Sequence, residues 1–140
     1  MARFSLRRLL WAGPLVALAA ALANLFFYFI SRALGGQYLL PADVAGTQLE
    51  PMPAWMPALA ALLLGLADAL LFAMLVRFAR RPVTIFLSVA LTALIVSFGA
   101  PAGLPAGTPA STRWLLAGMN VLTALILTVG LLALSRNRSS

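Results

Sequence analysis

Residues 55–82 read WMPALAALLLGLADALLFAMLVRFARRP, an apolar run from Trp55 to Val76 that carries one charge, Asp68, and is closed by Arg77, Arg80, Arg81 and Pro82. At about 1.5 Å of rise per residue, a helix over this run covers the roughly 30 Å of a bilayer's hydrocarbon. The same reading extends outward in both directions. Leu9–Ser31, Val83–Ala100 and Trp114–Leu134 are the other runs long and apolar enough, and Asp68 is the only formal charge inside any of the four. The expected fold is all-α: a polytopic membrane protein of four transmembrane helices in an antiparallel bundle, forming a single transmembrane domain over residues 1–140, with outer loops at 32–54 and 101–113.

The composition agrees. Of the 140 residues 63% are hydrophobic and 9% charged, against about 45–50% and about 25% in soluble domains. Three acids and ten bases cannot coat a soluble surface. All ten bases are Arg, the acids are Asp43, Glu50 and Asp68, and the formal net charge is +7. The arginines flank apolar runs instead of striping a polar face, which argues against a nucleic-acid partner and for the lipid bilayer. With neither Cys nor His, thiol nucleophiles, imidazole bases and Cys/His metal sites are excluded.

Arginine placement sets direction, because cytoplasmic flanks carry the excess of positive charge. Arg3, Arg7 and Arg8 precede the first span, Arg77, Arg80 and Arg81 join the second to the third, and Arg136 and Arg138 follow the fourth. The opposite side holds Arg32 and Arg113 with Asp43 and Glu50. Both termini are therefore expected in the cytoplasm, with the chain in a bacterial inner (plasma) membrane. The start also has features of a secretory signal, with basic residues, an apolar stretch and Ala21-Leu22-Ala23. The apolar run continues through Leu25 to Ile30, longer than a signal core, so the first span is expected to be retained.

The six residues from Arg77 to Pro82 make spans two and three antiparallel neighbours, with Pro82 opening the third helix where its missing N–H costs least. The 32–54 loop is expected to hold either a short helix or turn near Tyr38–Leu40 or extended structure, given Pro41, Pro51 and Pro53. Trp11, Trp55 and Trp114 fall near span ends as interface anchors.

Small residues mark packing faces in lipid because they let backbones approach. Ala61, Gly65, Ala69 and Ala73 stripe the second span; Gly13, Ala17, Ala20 and Asn24 the first; Thr84, Ser88 and Thr92 the third. Asp68 lies beside its stripe and should point into the bundle. An acid there costs about 2.5–3.5 kcal/mol on insertion scales, offset by about 0.3–0.6 for each neighbouring Leu, Phe or Val. Its carboxyl must then find hydrogen bonds or carry a proton. Depth along the spans suggests two polar layers roughly 10 Å apart. One unites Asp68 with Ser88 and Thr128; in the other, Asn24 and Asn120 bond each other, with Thr92 and Thr123 between the layers.

The first expectation is that these side chains are interhelical glue. The protein is then a non-enzymatic structural or accessory membrane subunit, working as a homo-oligomer or in a larger membrane complex. The alternative is a small proton- or cation-coupled transporter or channel using Asp68, since intramembrane acids mark such paths. A cavity reaching Asp68 favours transport, and a dry contact favours glue. One isolated carboxyl gives no acid/base pair, so no catalytic residue, cofactor or metal is expected.

Leu75-Val-Arg-Phe-Ala-Arg-Arg-Pro82 with Phe86-Leu87, a Pro/Ala-rich loop, Thr112-Arg113, Ala117-Gly-Met-Asn120 and the Asn24, Tyr28, Arg32 pattern resemble small four-span bacterial integral membrane proteins of an uncharacterised domain-of-unknown-function family. The resemblance covers nearly the whole chain and implies architecture without an activity. The family pattern often has His after the Met of the fourth span. Asn120 stands there in this sequence, which argues against a proton relay at that position.

Overall fold

The computed structural model describes residues 4–136. Arg3 and Arg138, counted above for direction, lie outside the described residues. Four helices are long and apolar enough to cross a membrane: α1 (Leu6–Ala33), α2 (Trp55–Phe78), α3 (Pro82–Ser97), which a one-turn α4 (Gly99–Ala102) prolongs, and α5 (Ala110–Ser135). They pack together as a bundle. Phe4 bridges Arg136, and the Ser5 amide donates to the Ser135 carbonyl at 3.1 Å, so both ends of the described chain meet at one end of it, here the terminal end.

Local chemistry explains the helix limits. Ser5 caps α1, its hydroxyl accepting from the Arg8 amide at 3.4 Å. Pro82 occupies the first turn of α3, where no intrahelical donor is needed. Pro14 lies inside α1 and has no N–H to give the Leu10 carbonyl.

α1 is the central helix, burying Leu9, Ala12, Gly13, Val16, Ala17, Ala20, Ala21, Asn24 and Tyr28 between α2 and α5. The small stripes of α1 and α2 meet as expected. A Cβ on Gly65 would stand 2.6 Å from the Ala17 Cβ, and one on Gly13 would stand 2.7 Å from the Ala69 Cβ. Backbones this close gain dispersion contacts that longer side chains would forbid. Below them, toward the terminal end, Phe72 sits between Phe4 and Phe86, with ring centroids 5.2 and 4.8 Å away.

α3 is peripheral and buries only Phe86. The expected packing stripe Thr84, Ser88 and Thr92 faces outward. The Ser88 hydroxyl donates to the Thr84 carbonyl at 2.9 Å and that of Thr92 to the Ser88 carbonyl at 2.8 Å, so these polar groups are satisfied without a neighbouring helix. The inward face carries Phe86, Ala90, Ala93 and Ser97.

The 32–54 loop takes the extended alternative. β1 (Leu39–Pro41) and β2 (Leu49–Pro51) pair antiparallel, Leu39 opposite Pro51 and Pro41 opposite Leu49. Pro41 and Pro51 lack ladder donors, which keeps the hairpin short. Its turn uses Gly46 at φ +68°. The Asp43 carboxylate accepts from the Thr47 hydroxyl and from the Gln48 amide at 3.1 Å, holding that carboxyl below the usual aspartate range.

Candidate functional site

Between α2, α3 and α5, beneath the hairpin, lies a cavity of about 400 Å³. It lies where α3, which buries only Phe86, stands off the bundle, with the small Ala90, Ala93 and Ser97 among its lining residues. Phe86 closes the terminal side, and Leu40 and Met52 roof the hairpin side. Leu64 and Val89 on its wall are 49% and 42% exposed, so it opens laterally between α2 and α3. Six polar side chains line it: Asn24, Asp68, Ser97, Asn120, Thr123 and Thr128.

Asp68 is half-buried on the α2 wall, placed there by its position three residues after Gly65, the point where α2 is pressed onto α1. Among the described residues no group donates to its carboxyl. The expected grouping with Ser88 does not form, because Ser88 lies on the outward face of α3 and bonds its own helix. Thr128 does share the cavity wall with Asp68.

The two asparagines line the same cavity but do not bond each other. Asn24 Nδ2, 1% exposed, donates to Thr123 Oγ1 at 2.7 Å and to the Ala20 carbonyl at 2.9 Å. Asn120 Nδ2 donates to the Ser97 carbonyl at 3.1 Å. Ser97 ends α3, and the last carbonyls of a helix have no intrahelical donor, so Asn120 caps α3 from α5. Of the five residues singled out from sequence, Asp68, Thr128, Asn24 and Asn120 are brought to one cavity and Ser88 is not.

A second polar cluster seats the hairpin. Tyr28 Oη donates to the Met52 carbonyl at 2.7 Å and accepts from Arg32 at 2.8 Å. Ser31 Oγ and Tyr38 Oη are 2.6 Å apart. Thr112 Oγ1 donates to the Gln37 carbonyl at 2.7 Å and accepts from the Leu39 amide at 3.3 Å. Burial pushes the Tyr38 phenol up, against the Ser31 hydrogen bond that favours its ionised form. Arg113 ties the second loop by donating to the carbonyls of Ala102, Leu104 and Pro105 at 2.7–3.0 Å. Asn24, Tyr28 and Arg32 recur every fourth residue, a signal that could have placed these groups on one face. Thr112 and Ser97 had no comparable signal, because they engage backbone brought in by the fold.

The chain is thus a bundle of four helices, each long and apolar enough to cross a membrane, with an acid-bearing cavity among them. It belongs to a family of unknown function (DUF6069), whose profile matches residues 4–137. No curated protein and no solved structure matches it.

Proposed function

We propose that this is a non-enzymatic integral membrane protein that moves or senses a proton or small cation at Asp68. The supporting observation is the cavity itself: a carboxyl on a membrane-capable helix, without a hydrogen-bond partner among the described residues, faces a space of about 400 Å³. An acid held as glue would be bonded to a neighbouring helix, as Asn24 is. Neutral polar side chains elsewhere on the cavity wall, Asn120, Thr123 and Thr128 among them, offer an occupant donors and acceptors along the same space, and an unpaired acid within a membrane span marks ion or proton paths. This favours the coupled-transport alternative over glue.

The excess of arginines at the terminal end supports a cytoplasmic location for both termini in a bacterial inner membrane. A second reading, self-association or membership of a larger membrane complex, is favoured by α3, whose outward face with Leu91, Ile95 and Val96 is 60%, 62% and 70% exposed.

The test is reconstitution of the full chain in proteoliposomes with an entrapped pH dye. Wild type is expected to support a pH-dependent proton or cation flux that Asp68→Asn abolishes while retaining its helical content and melting behaviour. A wild type without flux, or an unchanged flux in Asp68→Asn, would sink the transport reading. Partners captured or dimers cross-linked through α3 would then support the second.

A further inference from the structure

On the outer surface of the α1–α2 pair, at the terminal end and away from the Asp68 cavity, runs a groove of about 690 Å³. We propose that this groove binds one anionic phospholipid, its phosphate held by Arg7 and Arg77 and one acyl chain lying along Ala69 and Ala73. The proposal rests on the four helices being membrane spans and is independent of what occurs at Asp68.

The groove follows from the small-residue contact beneath it. Gly13 and Ala69 bring α1 and α2 together, leaving Ala69 and Ala73 as a shallow floor between walls of long side chains such as Leu10, Leu70 and Met74. From Leu66 to Phe78 it extends about 18 Å at 1.5 Å per residue, close to the roughly 15 Å of one leaflet's hydrocarbon. It is apolar along this length and ends at two guanidiniums, Arg7 from α1 and Arg77 from the last turn of α2.

Three other arginines are engaged by the protein. Arg8 is taken up by the Arg136 carbonyl, Arg32 by Tyr28, and Arg113 by three loop carbonyls. Arg7 and Arg77 have no hydrogen bond or ion pair among the described residues; neither do Arg80 and Arg81, but it is Arg7 and Arg77 that line the groove. Arg77 lies over the Phe78 ring at 5.5 Å, a packing that leaves its N–H edge available to oxygen acceptors. The three acids lie elsewhere, Asp43 and Glu50 in the hairpin segment and Asp68 in the cavity. Two uncompensated guanidiniums at the membrane-surface end of an acyl-length groove complement a phosphodiester with net negative charge. A choline headgroup would set a cation against them. A second copy of this chain would bring another Arg7, Arg77, Arg80 and Arg81 to the same place, so like charge disfavours it as the occupant. Basic pockets between spans recognise lipid headgroups by this chemistry.

Native mass spectrometry of the full detergent-purified chain, mixed with phosphatidylglycerol or phosphatidylcholine of equal acyl composition, tests the proposal. Phosphatidylglycerol is expected to stay bound at least tenfold more than phosphatidylcholine and to raise the melting temperature. Arg7→Gln with Arg77→Gln should bring retention down to the phosphatidylcholine level, while Arg80→Gln should leave it unchanged. Ala73→Leu, which keeps both arginines and fills the floor, should also release the lipid. That arm still decides the matter if the double variant fails to fold. Equal retention of the two lipids, retention surviving both sets of changes, or displacement by excess inorganic phosphate would each overturn the proposal, the last by showing a free-anion site.

Discussion

Asn24 Nδ2 on α1 stands 2.7 Å from Thr123 Oγ1 on α5, in a part of the bundle where Asn24 is 1% exposed. The bond joins two spans across an apolar interior, and the second Asn24 proton goes to the Ala20 carbonyl. Thr123→Val keeps the shape and removes the acceptor, leaving an amide N–H without its partner. The expected loss is about 0.6–1.7 kcal/mol, the range of interhelical hydrogen bonds in bundles of this kind. Reversible unfolding in mixed micelles measures it. A double-mutant cycle with Asn24→Leu should return a coupling of similar size, and additivity would show that the bond contributes nothing.

Gly65 decides how closely α2 approaches α1. A Cβ there would fall 2.6 Å from the Ala17 Cβ, 2.7 Å from the Ala17 Cα and 2.9 Å from Leu127 Cδ2. Two of these three atoms belong to Ala17, which has no rotamer with which to yield. Gly65→Ala is therefore expected to destabilise by about 1–3 kcal/mol through overpacking, despite the helix propensity gained over Gly. Gly99→Ala, with open space around it, serves as the matched control and should change stability by less than about 1 kcal/mol. Equal melting temperatures for the two variants would contradict the close approach.

The α1 and α2 stripes were legible in the sequence because small residues at four-residue spacing directly set the distance between helices. The same signal misled on α3. There, small residues occur on both faces: Thr84, Ser88 and Thr92 on one, Ala90, Ala93 and Ser97 on the other. Hydroxyls that bond their own helix need no partner, so polarity did not reveal which face turns inward. Asp68 was legible as the isolated charge within the four apolar runs. Its cavity was not, since it arises from the peripheral seat of α3 on Phe86. Depth also failed to separate Asn120–Asn24 from the observed pairs, because the bond to Asn120 uses the backbone carbonyl at the end of α3.

A chain without cysteine makes single-cysteine labelling direct. Thr128 lines the Asp68 cavity and Ser88 lies on the outward face. Charged thiol reagents attack the thiolate, which needs a polar surround to form. Thr128→Cys in liposomes is expected to label at least tenfold faster than Ser88→Cys if ions and water reach Asp68. Comparable slow labelling at both positions would indicate a dry cavity and weaken the transport reading.

The hairpin turn should loosen in acid. The Asp43 carboxyl is held below its ordinary range by the Thr47 hydroxyl first and the Gln48 amide second. An unfolded aspartate titrates at about 3.9. A depressed folded value means that the turn's stabilisation is present above the unfolded pKa and is lost as pH falls through the folded one. Amide exchange at Gln48 should therefore stay protected from pH 7 down to about 4 and then lose protection relative to other hairpin amides. In Asp43→Asn this acid step should vanish. An acid step unchanged in that variant would assign it to another group.

The alkaline limit of the same hairpin falls to Tyr38. Burial beneath the loop raises its phenol, against the Ser31 hydrogen bond that lowers it. An unfolded tyrosine titrates at about 10. With the folded value above the unfolded one, the contribution of Tyr38 is fully present below pH 10 and is lost as pH rises through the folded pKa. Ultraviolet titration should show late phenolate formation accompanied by release of the hairpin, read as exposure of Met52 to oxidant. Tyr38→Phe keeps the ring against Tyr28, centroids 4.6 Å apart, but cannot ionise. It should remove the alkaline release while leaving the neutral-pH seat of the hairpin in place, whereas a hairpin already loose at pH 7 in that variant would show that the bond to Ser31 holds the loop down.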